Sequence, residues 1–215
     1  MAKTPHRRAS ADADAAFLQA LTEIAARIAM SLAATDGKHL PVRMYLAGGA
    51  AMHFYTGSRS TEDIDAVFST RVLLPENLEV YYVNARGEPR LLYFDRQYND
   101  TLGLLHENAH QDSIPLSMPG VDERVLEVRA LSPVDLAVSK VGRFEDHDRD
   151  DIATLAHHGL ITERAVRRRA EEALSYYVGN TERVRTSLDL ACQLIRAATV
   201  KPGLNQRPTS RRQST

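Results

Sequence analysis

Two aspartates separated by one apolar residue, Asp63-Ile64-Asp65, are the first residues in this chain whose types and spacing could do chemistry. Residues two apart on a strand point to one face, with Cα atoms about 7 Å apart. Both carboxylates can therefore converge on one hard cation. Mg2+ suits such a pair, with Mn2+ as a substitute, because Mg2+ is usually held by one or two carboxylates plus substrate phosphates. A solvated strand also shows an acidic outer face, so the pair alone says little. Gly48-Gly49 changes its weight. Glycine lets a backbone approach a phosphate closely, and a following helix offers free amides at its N-terminus. A strand, Gly-Gly, helix, strand and Asp-x-Asp in that order sets a phosphate cradle beside a metal pair. That is the logic of phosphoryl or nucleotidyl transfer.

Other candidates carry less. His106, His110 and Asp112 have a metal-like look, since His-x3-His on a helix would put both rings on one face; no third strong ligand stands beside them, and a surface loop near the cleft is the stronger reading. Arg59, four residues before Asp63, could clamp a phosphate or pair with an acid. His157-His158 precedes Gly159, where imidazolium suits a helix end. Arg164, Arg167, Arg168 and Arg169 spread around a helix as a solvated face, with RNA or an acidic partner as the alternative. The only cysteine, Cys192, reads as a small buried helix residue and fits a reducing cytoplasm.

The elements that must position these residues follow from periodicity. Ala11 to Ala34 repeats Phe17, Leu18, Leu21, Ile24, Ile28 and Leu32 at helical spacing. Strands are expected at Arg43 to Ala47, Glu62 to Phe68, Leu78 to Asn84, Arg90 to Asp95, Leu102 to Leu105 and Val125 to Ala130. A short helix is expected over Ala50 to Tyr55, ended by Gly57. At Ser132 the pattern turns helical: Ser132 is a good N-cap, Pro133 fits the first helical position and Asp135 the first turn. That helix should reach Phe144. The charged run Glu145 to Asp151 reads as a turn into a helix over Ile152 to His157, followed by one capped by Thr162 and one over Glu182 to Ala198. The fold class is α/β (α+β), with an N-terminal tail and helix over 1–40, an α/β core over 41–131, a helical half over 132–200 and a disordered basic tail over 201–215. The net charge of −1 provides no global basic field for nucleic acid. No apolar run approaches the roughly 18 residues of a membrane span.

With these residues in view, Leu46-Ala47-Gly48-Gly49 followed by Asp63-Ile64-Asp65-Ala66 resembles the signature of nucleotidyltransferases of the DNA polymerase β type. The G-x-R-x-T-x-D-I-D wording from Gly57 to Asp65 is similar to small bacterial AbiEii-type abortive-infection toxins. So is the later segment, with Leu131-Ser132-Pro133, Asp135-Leu136, Lys140, Arg149 to Ile152 and Leu155. The resemblance covers roughly residues 40–160. It implies a small mixed β-sheet core flanked by helices, and transfer of an NMP from an NTP, ATP included, to a hydroxyl on RNA or a tRNA end, a protein or a small molecule. Gly48, Gly49 and Ser58 would hold the triphosphate, Asp63 and Asp65 would bind Mg2+, and Lys140 would reach the phosphates. An antitoxin protein is an implied partner. A third carboxylate usually completes the set; Glu79, Asp95, Glu107 and Glu127 all remain open, and relatives often carry an acid where Gly103 stands. Asp148 stands where relatives often carry a base. A degenerate member that binds nucleotide or a protein without catalysis is the alternative.

Overall fold

A computed structural model describes residues 9–10, 13–34, 40–58, 61–100 and 103–199. Its elements run α1 (Ala15–Ala33), β1 (Val42–Leu46), α2 (Gly48–Thr56), β2 (Asp63–Ile64), β3 (Ala66–Phe68), β4 (Glu79–Val83), β5 (Pro89–Phe94), β6 (Ile114–Pro115), β7 (Leu126–Ala130), α3 (Pro133–Val141), α4 (Asp146–His157), α5 (Glu163–Leu174) and α6 (Thr181–Thr199). The architecture is mixed α/β, as expected, with strands in the middle and helices after Ser132.

One sheet has the order β3-β1-β7-β6 and a second has β2-β5-β4. β1 runs antiparallel to β3, pairing Leu46 with Ala66, and parallel to β7, pairing Leu46 with Ala130. β2 runs parallel to β5, pairing Ile64 with Phe94. The expected strand over Glu62 to Phe68 is thus divided between two sheets, and Asp65 is the residue at which the chain passes from one to the other. Its carbonyl accepts the Ala47 amide at 2.8 Å, while the Ile64 carbonyl accepts the Asp95 amide at 3.1 Å. Both flanking sheets therefore fix the backbone on either side of this carboxylate.

The helices are built from local signals and closed by burial. Phe17, Leu21, Ile24, Ile28 and Leu32 of α1 are buried, and α1 packs on β4, β5 and β7. Each such side chain contributes about 1.5–3 kcal/mol on leaving water. By length and mean hydropathy (1.3) α1 is apolar enough to cross a membrane, unlike what its sequence first indicates; its apolar stripe is instead spent on the sheet. Ser132 caps α3, accepting the Asp135 amide at 3.1 Å, with Pro133 in the first turn. Cys192 is buried, as its helical setting predicts.

Four expectations are corrected. α2 begins at Gly48, so the glycines form its first turn rather than a loop before it. The charged run after Glu145 is helix, not turn: Glu145 and Asp148 form a capping box, and the acidic first turn suits the helix dipole. α3 stops at Val141 short of Phe144, whose φ of +56° turns the chain toward α4. Of the strand expected over Leu102 to Leu105, Leu102 lies outside the described residues and Gly103 to Leu105 form no strand; β6 takes the edge of the first sheet instead. The disordered tail expected over 201–215 also falls outside the described residues.

Candidate active site

The two glycines and two aspartates meet through sterics. Gly48 has φ +51°, a left-handed conformation that side chains disfavour, and a Cβ there would fall inside the Asp65 carboxylate. At Gly49 a Cβ would stand 2.5 Å from the Thr61 hydroxyl oxygen. That hydroxyl in turn donates to the Asp63 carboxylate at 2.5 Å. Each glycine is therefore required by the approach of one half of the Asp-x-Asp pair. α2 starts without a side-chain cap, at Ala47. Its first amides remain available to an anion.

A cavity of about 330 Å3 opens over this junction, with Gly48, Asp65, Tyr98, Lys140, Arg143 and Tyr177 on its walls. Asp65 is half-buried there. Burial, then the charges of Asp63 and Asp95, raise its carboxyl to about 6, while Lys140 and Arg143 pull the other way. Burial and the Asp65 charge likewise raise the Tyr98 phenol. Among the described residues no donor satisfies the Asp65 carboxylate. A negative group held partly out of water without such a partner is costly, and a cation is the natural remedy.

Of the four candidate third carboxylates, Asp95 stands next to the pair. It follows Phe94 on β5, beside Asp65, and one of its oxygens accepts the Gln97 amide at 2.8 Å. Glu127 is engaged by Arg43 at 3.1 Å and Arg129 at 2.5 Å on β7. Glu107 lies beside Tyr176, with the phenol 3.4 Å away. Glu79 is exposed at the start of β4. Gly103, where an acid is missing, also borders the cavity. Among the described residues no three His, Cys, Asp or Glu side chains are grouped to enclose a metal by themselves. The oxygen donors of Asp63 and Asp65 still fit Mg2+, provided phosphate and water complete the shell.

The cationic wall differs from expectation. Lys140 is buried at 5% exposure, and its ammonium meets Asp151 at 2.5 Å and Asp148 at 3.7 Å. It faces the cavity already paired. Arg143, one helical turn further on, was not singled out by sequence. Its guanidinium binds Asp148 through two hydrogen bonds of 2.9 Å, yet its side chain is 62% exposed. Asp148 is fully buried and also accepts the Glu145 amide at 3.1 Å, so one carboxylate starts α4 and anchors the arginine. Arg143 is thus held rigidly at the cavity with donors to spare. The lysine–arginine spacing of three, one helical face, was the signal that could have found it; Thr61, two before Asp63, had a weaker signal in its short separation from that carboxylate.

The remaining candidates separate. Ser58 lies beyond the far end of α2, its hydroxyl 2.7 Å from that of Thr56. Arg59 lies outside the described residues. His106 turns toward Glu172 at 3.4 Å and His110 toward Asp100 at 2.8 Å, while Asp112 pairs with Arg169 at 2.7 Å, so the three do not converge. Arg169 leaves the expected solvated face to bind the buried Asp135 at 2.7 Å, tying α5 to α3.

The family described as "Nucleotidyltransferase of unknown function (DUF6036)" matches residues 19–196, which contain every element from β1 to α5 and most of α1 and α6. No curated protein and no solved structure matches the chain.

Proposed function

The chain belongs to the DUF6036 nucleotidyltransferases, and from that premise we propose that it transfers an NMP from an NTP, such as ATP, to a hydroxyl acceptor with the help of Mg2+. The observation that carries this reading is the contact between cradle and carboxylates: Gly48 and Gly49 have no room for a side chain because Asp65 and the Thr61 that holds Asp63 stand against them. A phosphate bound at the open amides of α2 would lie beside both aspartates. A divalent cation held by Asp63 and Asp65 would offset charge on the triphosphate. Arg143 would bind the phosphate oxygens from the opposite wall, and Lys140, tied to Asp151, would supply a fixed positive field. Asp95 would accept the proton that the attacking hydroxyl loses. Resemblance to AbiEii-type proteins supports a setting as the cytoplasmic toxin of a toxin–antitoxin or phage-defence pair, with an antitoxin as partner.

The test incubates the full chain with each labelled NTP, Mg2+ and total RNA, beside the double variant Asp63→Ala/Asp65→Ala. Label transfer or pyrophosphate release is expected from the wild type alone; activity that survives in the variant overturns the site. A binding-only protein is the second reading, favoured by the ungrouped third carboxylate and by the pairing of Lys140. It would bind an NTP in an Asp63/Asp65-dependent way and release no pyrophosphate.

A further inference from the structure

A second cavity, of about 360 Å3, adjoins the one over Asp65, and the two share Asp100, Gly103, Leu105 and Tyr177 as common walls. The two chambers differ in their cations. The first carries Lys140 and Arg143 beside Asp65, Asp100 and Asp148. The second carries Asp100 and Glu107, with Glu172 held against its His106 wall, and among the described residues neither Lys nor Arg lines it. Its two histidines are each set against an acid, His110 against Asp100 and His106 against Glu172. Tyr176, 62% exposed, and Tyr177 present rings to it. Acids and tyrosine faces without fixed cations repel a polyanion and attract an ammonium group.

We propose that this chamber is the acceptor site, and that the acceptor is a small hydroxyl compound carrying a positively charged nitrogen rather than RNA. The inference rests on the nucleotidyl-transfer reading. The ammonium sits among Glu107, Asp100 and the Tyr176 ring, and the hydroxyl points past Tyr177 toward Asp65. Its oxygen forms a bond to the α-phosphorus of the NTP, the bond from that phosphorus to the bridging oxygen breaks, pyrophosphate leaves, and the hydroxyl proton passes to a carboxylate.

Choline is the probe, compared by calorimetry with its uncharged isostere in which carbon replaces the nitrogen. The wild type binds choline and not the isostere. Glu107→Gln and Tyr176→Ala each weaken choline roughly two- to fivefold, as exposed charge and cation–π contacts do, and both leave Mg2+-NTP binding unchanged because neither residue touches the first chamber. Labelled NTP then passes to choline, or to glucosamine used in its place, and not to oligoadenylate RNA. Equal binding of choline and isostere, no effect of the two variants on choline, or transfer to the RNA alone overturns the acceptor assignment while nucleotidyl transfer stands. Loss of NTP binding dependence on Asp63 and Asp65 overturns the underlying reading instead.

Discussion

Replacing Asp65 by Asn should make the metal-free protein more stable at alkaline pH and no different at acid pH. The carboxyl titrates near 6 in the fold against an ordinary 3.8, chiefly because it is held partly out of water and next because Asp63 and Asp95 stand nearby. A raised carboxyl means that the folded state holds the proton more tightly than the unfolded one. Stability is therefore full below about pH 4 and is lost as pH rises through about 6, where the charged form must be accommodated. At 1.36 kcal/mol per pKa unit the cost at pH 8 is about 3 kcal/mol at most. The group is only half-buried, so solvent screening reduces this to about 1–2 kcal/mol. In a chain of this size that moves the melting temperature by about 3–6 °C. Asn keeps the shape and removes the charge, so no cavity confounds the comparison. Melting curves at pH 4 and pH 8 in EDTA should show the two proteins equal at the first and Asp65→Asn higher at the second. A wild type that is the more stable at pH 8, or a difference independent of pH, would refute the reasoning that this carboxylate is strained by its site.

Mg2+ should close that gap: at ten times its dissociation constant it adds about 1.4 kcal/mol to a protein that binds it, so thermal shift is expected in the wild type and absent in Asp63→Asn/Asp65→Asn. Gly48→Ala should abolish NTP binding and cost more than Gly87→Ala, since both have positive φ but only Gly48 faces a carboxylate while Gly87 faces open space; paired urea titrations separate the two terms. Asp148→Ala should destabilise by about 3 kcal/mol or more, because it removes a buried partner of Lys140 and Arg143 together with the start of α4; equal midpoints in denaturant would contradict this. Arg169→Ala should act similarly by stranding the buried Asp135, whereas Arg164→Ala, with no buried partner to strand, should stay within about 0.5 kcal/mol of wild type.

Much of this was legible in the sequence because it is local. The Gly-Gly and Asp-x-Asp spacing, the Ser132 cap and the apolar stripes of α1 and α6 depend on neighbours within a few residues, and short-range sterics and periodicity decide them. The short reach of such signals also explains the misreading of Glu145 to Asp151: the run looks solvated until Lys140 and Arg143, brought round by the turn at Phe144, neutralise Asp148 and Asp151. Which acid joins Asp65 was open among four residues, since strand pairing is a long-range matter; the parallel match of β2 with β5 put Asp95 there and sent Glu127 to its arginines. Composition could not show that Arg143 faces the cavity while Lys140 is paired inside, nor that a chamber with cations adjoins one where no Lys or Arg is found among the described residues. The sequence by itself thus determined which glycines and carboxylates stand together at the start of α2. Only the tertiary structure decided what stands around them, because burial and charge pairing are properties of neighbours that the chain brings together from far apart.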